Sequence, residues 1–251
     1  MSEQASKRRK VMQFIACAAG ADRAAFRERY LSRHAPMLMR HCPPLLRYVV
    51  NLVDVKASIR HRAHLTPRLN RELDPPPFEV VTEMWFESFD DFKHPHRLYV
   101  NPAAARAVDD DLREMGATVY DYLIAQTVQW DRTQRPAPGQ RTPGVKAIIF
   151  TRRKEEIPNK EVEALWRKHR IVAEKYHCYA TTYIQDGVIA PLTSNAPVVH
   201  GLAELYFPTR EDLEERFYGG TIEGEQAIAA DAGPFVADAI GLYSSEYVMR
   251  E

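Results

Sequence analysis

Two histidines and two glutamates occupy matching places in the two halves of this sequence. His34 ends the segment ERYLSRH and His169 ends EALWRKH, 135 positions later; Glu83 lies in VVTEMWFESFDDF and Glu204 in GLAELYFPTREDL, 121 positions later. An imidazole titrates near neutral pH and can move a proton in either direction. A carboxylate in an apolar cavity has its pKa raised by desolvation, which suits it to remove a proton. These four residues are therefore the predicted catalytic groups.

Each of the four also has a structural interpretation. A histidine at the end of a helix can bond a backbone carbonyl instead of a substrate. A glutamate between apolar strand residues is costly unless it is paired, so Glu83 and Glu204 could satisfy a histidine or arginine of their own half. Because both halves keep the pattern, the sequence leaves structure and catalysis open.

Aromatic residues and further histidines near these groups could form the walls and rim of a binding pocket. Aromatic residues on strands also occur as plain core, so this interpretation competes with packing. The predicted ligand contacts are Tyr48, Trp85, His94, His96, Tyr99, Tyr179 and Tyr206, with Tyr183 as a further aromatic wall.

Metal and cofactor signatures are missing from the sequence. Cys17, Cys42 and Cys178 lack metal-ligand spacing, and His94 and His96 lack a third ligand. GxSxG, P-loop, GxGxxG and CxxC patterns do not occur. We therefore predict no metal and no cofactor. Haem stays open, because a single axial histidine leaves no spacing signature.

Composition narrows the partners and the compartment. The chain has 251 residues with 34 basic and 34 acidic side chains, so its formal net charge is zero. Nucleic-acid and membrane-surface proteins usually carry a basic excess, and no apolar run approaches the ~20 residues of a membrane span. We expect a cytoplasmic protein that binds neither nucleic acid nor membrane, since three scattered cysteines suggest no disulfide framework.

Hydrophobic patterning predicts the same order of elements twice. Runs rich in β-branched and aromatic residues predict strands, and residues spaced by four, such as Phe26, Tyr30 and His34, predict a helix with one buried face. Each half reads βαββαβ, which is the ferredoxin-like unit. The fold class is therefore α+β, with two tandem ferredoxin-like repeats.

The boundaries follow from composition. The first repeat spans 8–131 and contains an Arg/His/Pro-rich insertion at 56–77, and the Pro/Gly/Arg segment 132–143 is a linker. The second repeat spans 144–251. Such units cover one sheet face with helices, so we expect the two bare faces to pack together as an α/β barrel around an apolar cavity. Exposed edges could in addition pair two chains as a homodimer.

These motifs resemble the EthD-domain family of the dimeric α/β-barrel superfamily. The resemblance rests on an aromatic or leucine before the helix histidine, Tyr48 on the second strand, and a strand glutamate followed by Trp-Phe and an acidic helix start. It implies cofactor-free acid–base enzymes, oxygen-using enzymes or haem proteins. The family's histidine falls on His34, followed by Pro36; His169 lacks that proline, which implies a second site that has drifted or is only structural.

We therefore expect a cofactor-independent enzyme, of the lyase, dehydratase or isomerase type, acting on a hydroxylated or aromatic small molecule. His34 is expected to be the main acid–base group, with Glu83 as its partner. The alternatives are a non-catalytic binder of an apolar metabolite and an oxygen-using monooxygenase or haem protein.

Overall fold

A computed structural model describes residues 8–53, 57–60, 73 and 75–251. Most of the predicted insertion at 56–77 lies outside these residues. No helix of the described part is long and apolar enough to cross a membrane.

Over its described residues the first half contains four strands, and its helices follow the first and third of them. The strands are β1 Arg9–Ala16, β2 Arg47–Val53, β3 Val80–Phe86 and β4 Thr118–Asp131. The helices are α1 Arg23–Arg29, a π-helical turn Tyr30–His34, α2 Ala35–His41, α3 Phe89–Lys93, α4 Pro95–Leu98 and α5 Pro102–Glu114.

The second half has the same order of strands and helices. Its strands are β5 Val145–Arg153, β6 Thr182–Pro191, β7 Gly201–Phe207 and β8 Val236–Arg250. Its helices are α6 Asn159–Tyr176, α7 Arg210–Arg216 and α8 Ile222–Ala232.

The eight strands form one closed antiparallel barrel in the order β1-β3-β2-β8-β5-β7-β6-β4. Within each half the order is fourth, first, third, second strand. The halves join at two seams, where β2 pairs with β8 and β4 pairs with β6. The expected barrel is thus confirmed, and it closes within a single chain.

Side chains alternate between the barrel interior and the helix-covered outside. The face of β3 that carries Glu83 points inward, as predicted, and Met84 on the other face packs under the first-half helices. Inside, one layer is apolar: Phe14 of β1 meets Phe150 of β5 across the barrel, with ring centroids 4.6 Å apart. The layer beside it is ionic. Ion pairs and packed rings thus occupy the interior, where we had expected an apolar hollow.

The sequence also predicts that Asp22 caps the first helix, that this helix ends or bends at Pro36, that Asp186 and Gly187 form a turn, and that Asn159 caps α6. The last three differ in the structure. The helix does not end at Pro36, because Pro36 follows the π-helical turn as one of the first residues of α2. Asp186 and Gly187 form no turn; they lie inside β6, where the barrel provides partners on both sides. Asn159 is the first residue of α6, and Pro158 takes the cap position.

The predicted cap of α1 is confirmed. The carboxylate of Asp22 accepts hydrogen bonds from the backbone N–H groups of Ala24 and Ala25, at 2.9 and 3.0 Å. The predicted face of this helix is confirmed as well, since Phe26, Tyr30 and His34 are all buried.

Candidate functional site

Two buried lysines organise the ionic layer of the barrel. Lys10 of β1 lies 2.7 Å from Asp186, 3.0 Å from Glu83 and 2.5 Å from Glu204. Lys146, at the corresponding position of β5, is paired with Glu83 and Glu204 and lies 3.3 Å from Glu246. Each lysine therefore bonds glutamates of both halves.

This pairing determines the protonation of the two predicted glutamates. Burial alone would raise their pKa, but the two ammonium groups outweigh it, so the pKa of Glu83 is lowered and that of Glu204 is lowered well below its usual value. Burial and the neighbouring Glu204 raise the pKa of Asp186 well above its usual value. Our expectation of a raised pKa for the glutamates is therefore wrong: they are ionised partners of lysines.

The candidate site lies on the other face of the sheet, under the helices of the second half. A cavity of about 100 Å³ opens between β5, β7 and β8 on one side and α6 and α8 on the other. Its walls are mostly aliphatic and aromatic. Among the described residues, the side chains with hydroxyl or imidazole groups that line it are Thr151, His169, His177, Tyr183 and Tyr218.

His169 contacts a carboxylate on one side and the cavity on the other. Its Nδ1 lies 2.6 Å from Oδ2 of Asp231 in α8. The residue is buried and lines the cavity, and among the described residues Nε2 has no hydrogen-bond partner. A carboxylate at Nδ1 fixes the ring and stabilises its protonated form. The geometry thus suits Nε2 to accept a proton from a bound molecule.

His177 and Tyr183 add two more polar groups to the same cavity. The Nδ1 of His177 donates to the backbone carbonyl of Phe217 at 2.7 Å, and burial lowers the pKa of His177 to about 4. The Tyr183 hydroxyl accepts from Nε2 of Gln185 at 2.9 Å, and burial raises the pKa of Tyr183 to about 12. Both groups are therefore neutral around neutral pH.

Small residues make room for this cavity. A Cβ on Gly201 would meet the ring of Trp166 at 2.1 Å, so only glycine lets the indole lie against β7. Ala232 of α8 and Ala239 of β8 also line the space.

The first half repeats the His–Asp pair with larger residues at three corresponding positions. Nδ1 of His34 lies 3.0 Å from Oδ2 of Asp111, and burial lowers the pKa of His34. The ring packs on Tyr30, with centroids 4.7 Å apart, and the Tyr30 hydroxyl bonds that of Tyr48 at 3.1 Å. Where the second half has Gly201, Ala232 and Ala239, the first half has the larger Val80, Leu112 and Val119.

The other predicted ligand contacts are spread over the molecule. Trp85 is buried inside the barrel with Val49 and Val248, and Tyr206 donates to the carbonyls of Thr142 and Pro143. His94 precedes the short helix α4 and His96 lies in it, with ring centroids 5.5 Å apart. Of the predicted contacts, those that line the described cavity are His169 and Tyr183. Tyr99 packs partly buried in the first-half core, and Tyr179 is largely exposed.

A second cavity of about 180 Å³ lies at one end of the barrel. Phe78, Phe150 and Ile240 line it, and an ion pair of 2.8 Å between Arg152 and Asp238 lies at its wall. None of the predicted catalytic residues lines this space.

Sequence reasoning missed Asp231, His177 and the two lysines. Asp111 and Asp231 lie 120 positions apart in the helices before the last strands, so the repeated spacing was a usable signal. Lys10 and Lys146 were equally traceable, 136 positions apart. His177 had no such signal, because the corresponding residue of the first half is Cys42.

Comparisons with known proteins give a family match to part of the chain and a shared fold. Residues 18–129 match the EthD domain. An anthrone oxidase-like protein superposes with a TM-score of 0.63, covering 99% of this chain and 96% of its own, at 8% identity. A proposed monooxygenase from Lactobacillus acidophilus NCFM has a TM-score of 0.53, covering 97% of each chain, at 9% identity. A comparison with curated proteins finds no match.

At these identities the structural likeness shows a shared fold and no more. The first half of the chain carries the EthD match, whereas the cavity described above lies in the second half.

Proposed function

We propose that this protein is an enzyme that transfers a proton to or from a hydroxylated aromatic small molecule bound in the second-half cavity. The observation that carries the proposal is the His169–Asp231 pair, whose imidazole faces the cavity while its Nδ1 is bonded at 2.6 Å to the carboxylate.

The chemistry follows from the groups present. His169 takes a proton from a substrate hydroxyl or an activated carbon, and Asp231 stabilises the imidazolium that results. Returning the proton at another atom gives isomerisation, and returning it to a leaving hydroxyl gives dehydration. Neither reaction requires a cofactor. The reaction type thus remains the lyase, dehydratase or isomerase type, with His169 as the main acid–base group.

The cavity walls support an aromatic substrate. Trp166, Phe217 and Phe235 supply flat apolar surfaces, and Thr151 and Tyr183 supply hydroxyl groups. An apolar wall that excludes water also strengthens the electrostatic interaction between a phenolate and the imidazolium that forms beside it.

The two halves take different roles in this proposal. We regard residues 8–131 and 144–251 as tandem ferredoxin-like copies joined by the linker 132–143. The first copy keeps the His34–Asp111 pair, but larger side chains fill the space beside it, so His34 acts in structure. Glu83 and Glu204 act in the ionic layer and not in catalysis. Formation of a homodimer remains a prediction, and the barrel does not need it for closure.

A second candidate function is oxygenation. The fold neighbours described as anthrone oxidase-like and as a proposed monooxygenase favour it. A phenolate made by His169 is electron-rich and could donate an electron to dioxygen. The third candidate is a binder that uses the same cavity without turnover.

One experiment separates the three. The protein is incubated with a panel of single-ring and fused-ring phenols while the ultraviolet spectrum and dissolved oxygen are followed. Continuing spectral change without oxygen loss supports proton transfer, and oxygen loss supports oxygenation. A single shift that does not progress supports binding alone.

Two variants test the assignment of His169. His169→Gln and Asp231→Asn are both expected to lower kcat, by about 10²-fold or more for His169→Gln. The matched control is the pair His34→Gln and Asp111→Asn in the first half. If the first-half variants lose activity while the second-half variants keep it, the cavity is not the active site.

A further inference from the structure

The tautomer of His177 is fixed by its surroundings. A backbone carbonyl only accepts hydrogen bonds, so Nδ1, 2.7 Å from the oxygen of Phe217, must carry the proton. Burial lowers the pKa of His177 to about 4, so the ring is neutral in the physiological range. Its Nε2 therefore holds a lone pair. No described residue donates to that nitrogen, although the ring lines the cavity.

An acceptor of this kind in an apolar wall discriminates between ligands. A ligand that brings a hydroxyl to Nε2 satisfies it, whereas a ligand without one displaces water and leaves the nitrogen unpaired. Nε2 of His169 is also without a partner among the described residues, so the cavity presents two imidazole nitrogens on its wall, and that of His177 can only accept.

The size of the cavity limits the ligand further. Its volume of about 100 Å³ is smaller than the ~150 Å³ apolar cavity that holds one benzene ring. A fused-ring system therefore does not fit without rearrangement, and a single six-membered ring fits only if part of it extends into the opening.

We propose that His177 determines the specificity of this cavity and that the selected ligand is a single-ring diphenol. One hydroxyl of the diphenol meets Nε2 of His169, and the other donates to Nε2 of His177. This inference rests on the proposed function in one respect, namely that the substrate occupies the same cavity. It concerns binding, so its test does not require turnover.

Calorimetric titration tests the inference. Catechol, resorcinol, hydroquinone and, as the ligand with one hydroxyl, phenol are each titrated anaerobically into the wild type and into His177→Asn. The asparagine amide keeps a donor for the Phe217 carbonyl, but its oxygen stays close to Cγ, so the variant has no acceptor at the position of Nε2. His96→Asn, on the other half of the molecule, is the matched control.

We expect one diphenol to bind the wild type and the control about tenfold more tightly than phenol, which corresponds to about one net hydrogen bond. In His177→Asn the ratio falls to about one, while phenol affinity changes less than about threefold. The inference is overturned if phenol binds as tightly as every diphenol, if none binds, or if His177→Asn keeps the ratio.

A second measurement covers the case in which His177→Asn does not fold. Nitrogen NMR of the wild-type imidazoles is expected to show an unprotonated Nε2 on His177 that shifts when the diphenol binds. A protonated Nε2, or an Nε2 signal that does not shift when the ligand is added, contradicts the inference. Retained turnover in His169→Gln, with an intact diphenol preference in the wild type, would locate the failure in the catalytic proposal and leave this inference standing.

Discussion

The ammonium of Lys10, on the first strand of one half, lies 2.7 Å from the carboxyl of Asp186, on the second strand of the other half. Both side chains are fully buried. The strands that carry them, β1 and β6, are not neighbours in the barrel, so this contact crosses its interior. The ion pairs of Lys10 with Glu204 and of Lys146 with Glu83 also join the two halves, so contacts inside the barrel link the halves in addition to the seams.

Removing one cation from this layer should be strongly destabilising. In Lys10→Met the carboxylates of Glu83 and Glu204 lose a partner in a dry interior, and we expect a loss of about 3–5 kcal/mol in the free energy of unfolding. Urea denaturation measures it. The exposed Lys160→Met serves as control and should stay within about 0.5 kcal/mol of the wild type. A loss below 1 kcal/mol for Lys10→Met would contradict the pairing.

Asp186→Asn should stabilise the protein increasingly as pH rises. The folded-state pKa of Asp186 is raised well above its usual value, so folding takes up a proton. That contribution is complete below the unfolded pKa of about 3.9 and is lost as pH rises toward the folded pKa. The amide of asparagine does not titrate in this range, so the free energy of unfolding of the variant does not fall with pH for this reason.

The difference in unfolding free energy between Asp186→Asn and the wild type is measured by denaturation from pH 5 to pH 8. It should grow by up to about 1.4 kcal/mol per pH unit. Asn51 stands at the position of the first half that corresponds to Asp186. It shows the bonding expected of the variant, since its Nδ2 donates a hydrogen bond to Glu83 at 2.9 Å. A difference that is constant with pH would mean that Asp186 is ionised in the folded protein.

Gly201→Ala should close the cavity from the sheet side. The new methyl would meet the Trp166 ring at 2.1 Å, so the indole must move, at a cost of about 1–3 kcal/mol. We expect loss of phenol binding and a change in tryptophan fluorescence. Gly187→Ala on β6 is the matched control, because its methyl would lie 3.8 Å from the nearest atom. Retained phenol affinity in Gly201→Ala would disprove this role for Trp166.

His34→Gln should affect stability and leave the second half untouched. The substitution breaks the buried bond to Asp111 and should cost about 1–3 kcal/mol. Ligand affinity, measured by titration, should stay within about twofold of the wild type. The half-buried His41→Gln, at the end of α2, controls for loss of a histidine. Abolished binding in His34→Gln alone would restore His34 as the main functional histidine.

Much of the fold could be predicted because hydrophobic alternation and repeated spacing act locally. The order of strands and helices along each half follows from the hydrophobic runs, and the inward face of Glu83 follows from the alternation along β3. The predicted turn at Asp186 is wrong because pairing with a strand on each side overrides local turn propensity. The predicted helix end at Pro36 is wrong because proline is tolerated in the first turn of α2. The local sequence does not show that a segment will pair with a strand on each side.

The site was harder to predict than the fold. The sequence predicts His169 and Tyr183 as site residues, but the predicted catalytic glutamates place the site inside the barrel and not under the helices. Which face holds a cavity depends on volumes summed over several elements, and Gly201 matters only because Trp166 lies opposite. The role of Lys10 as counter-ion depends on contacts with residues more than a hundred positions away.

Closure of the barrel within one chain has an evolutionary consequence. In an assembly of two identical subunits every substitution appears twice, so a change that plugs one pocket plugs both. Here each pocket region is encoded separately. Selection can therefore favour larger side chains beside His34, which increase rigidity, while the cavity beside His169 stays open. The two halves can specialise separately while the barrel is retained.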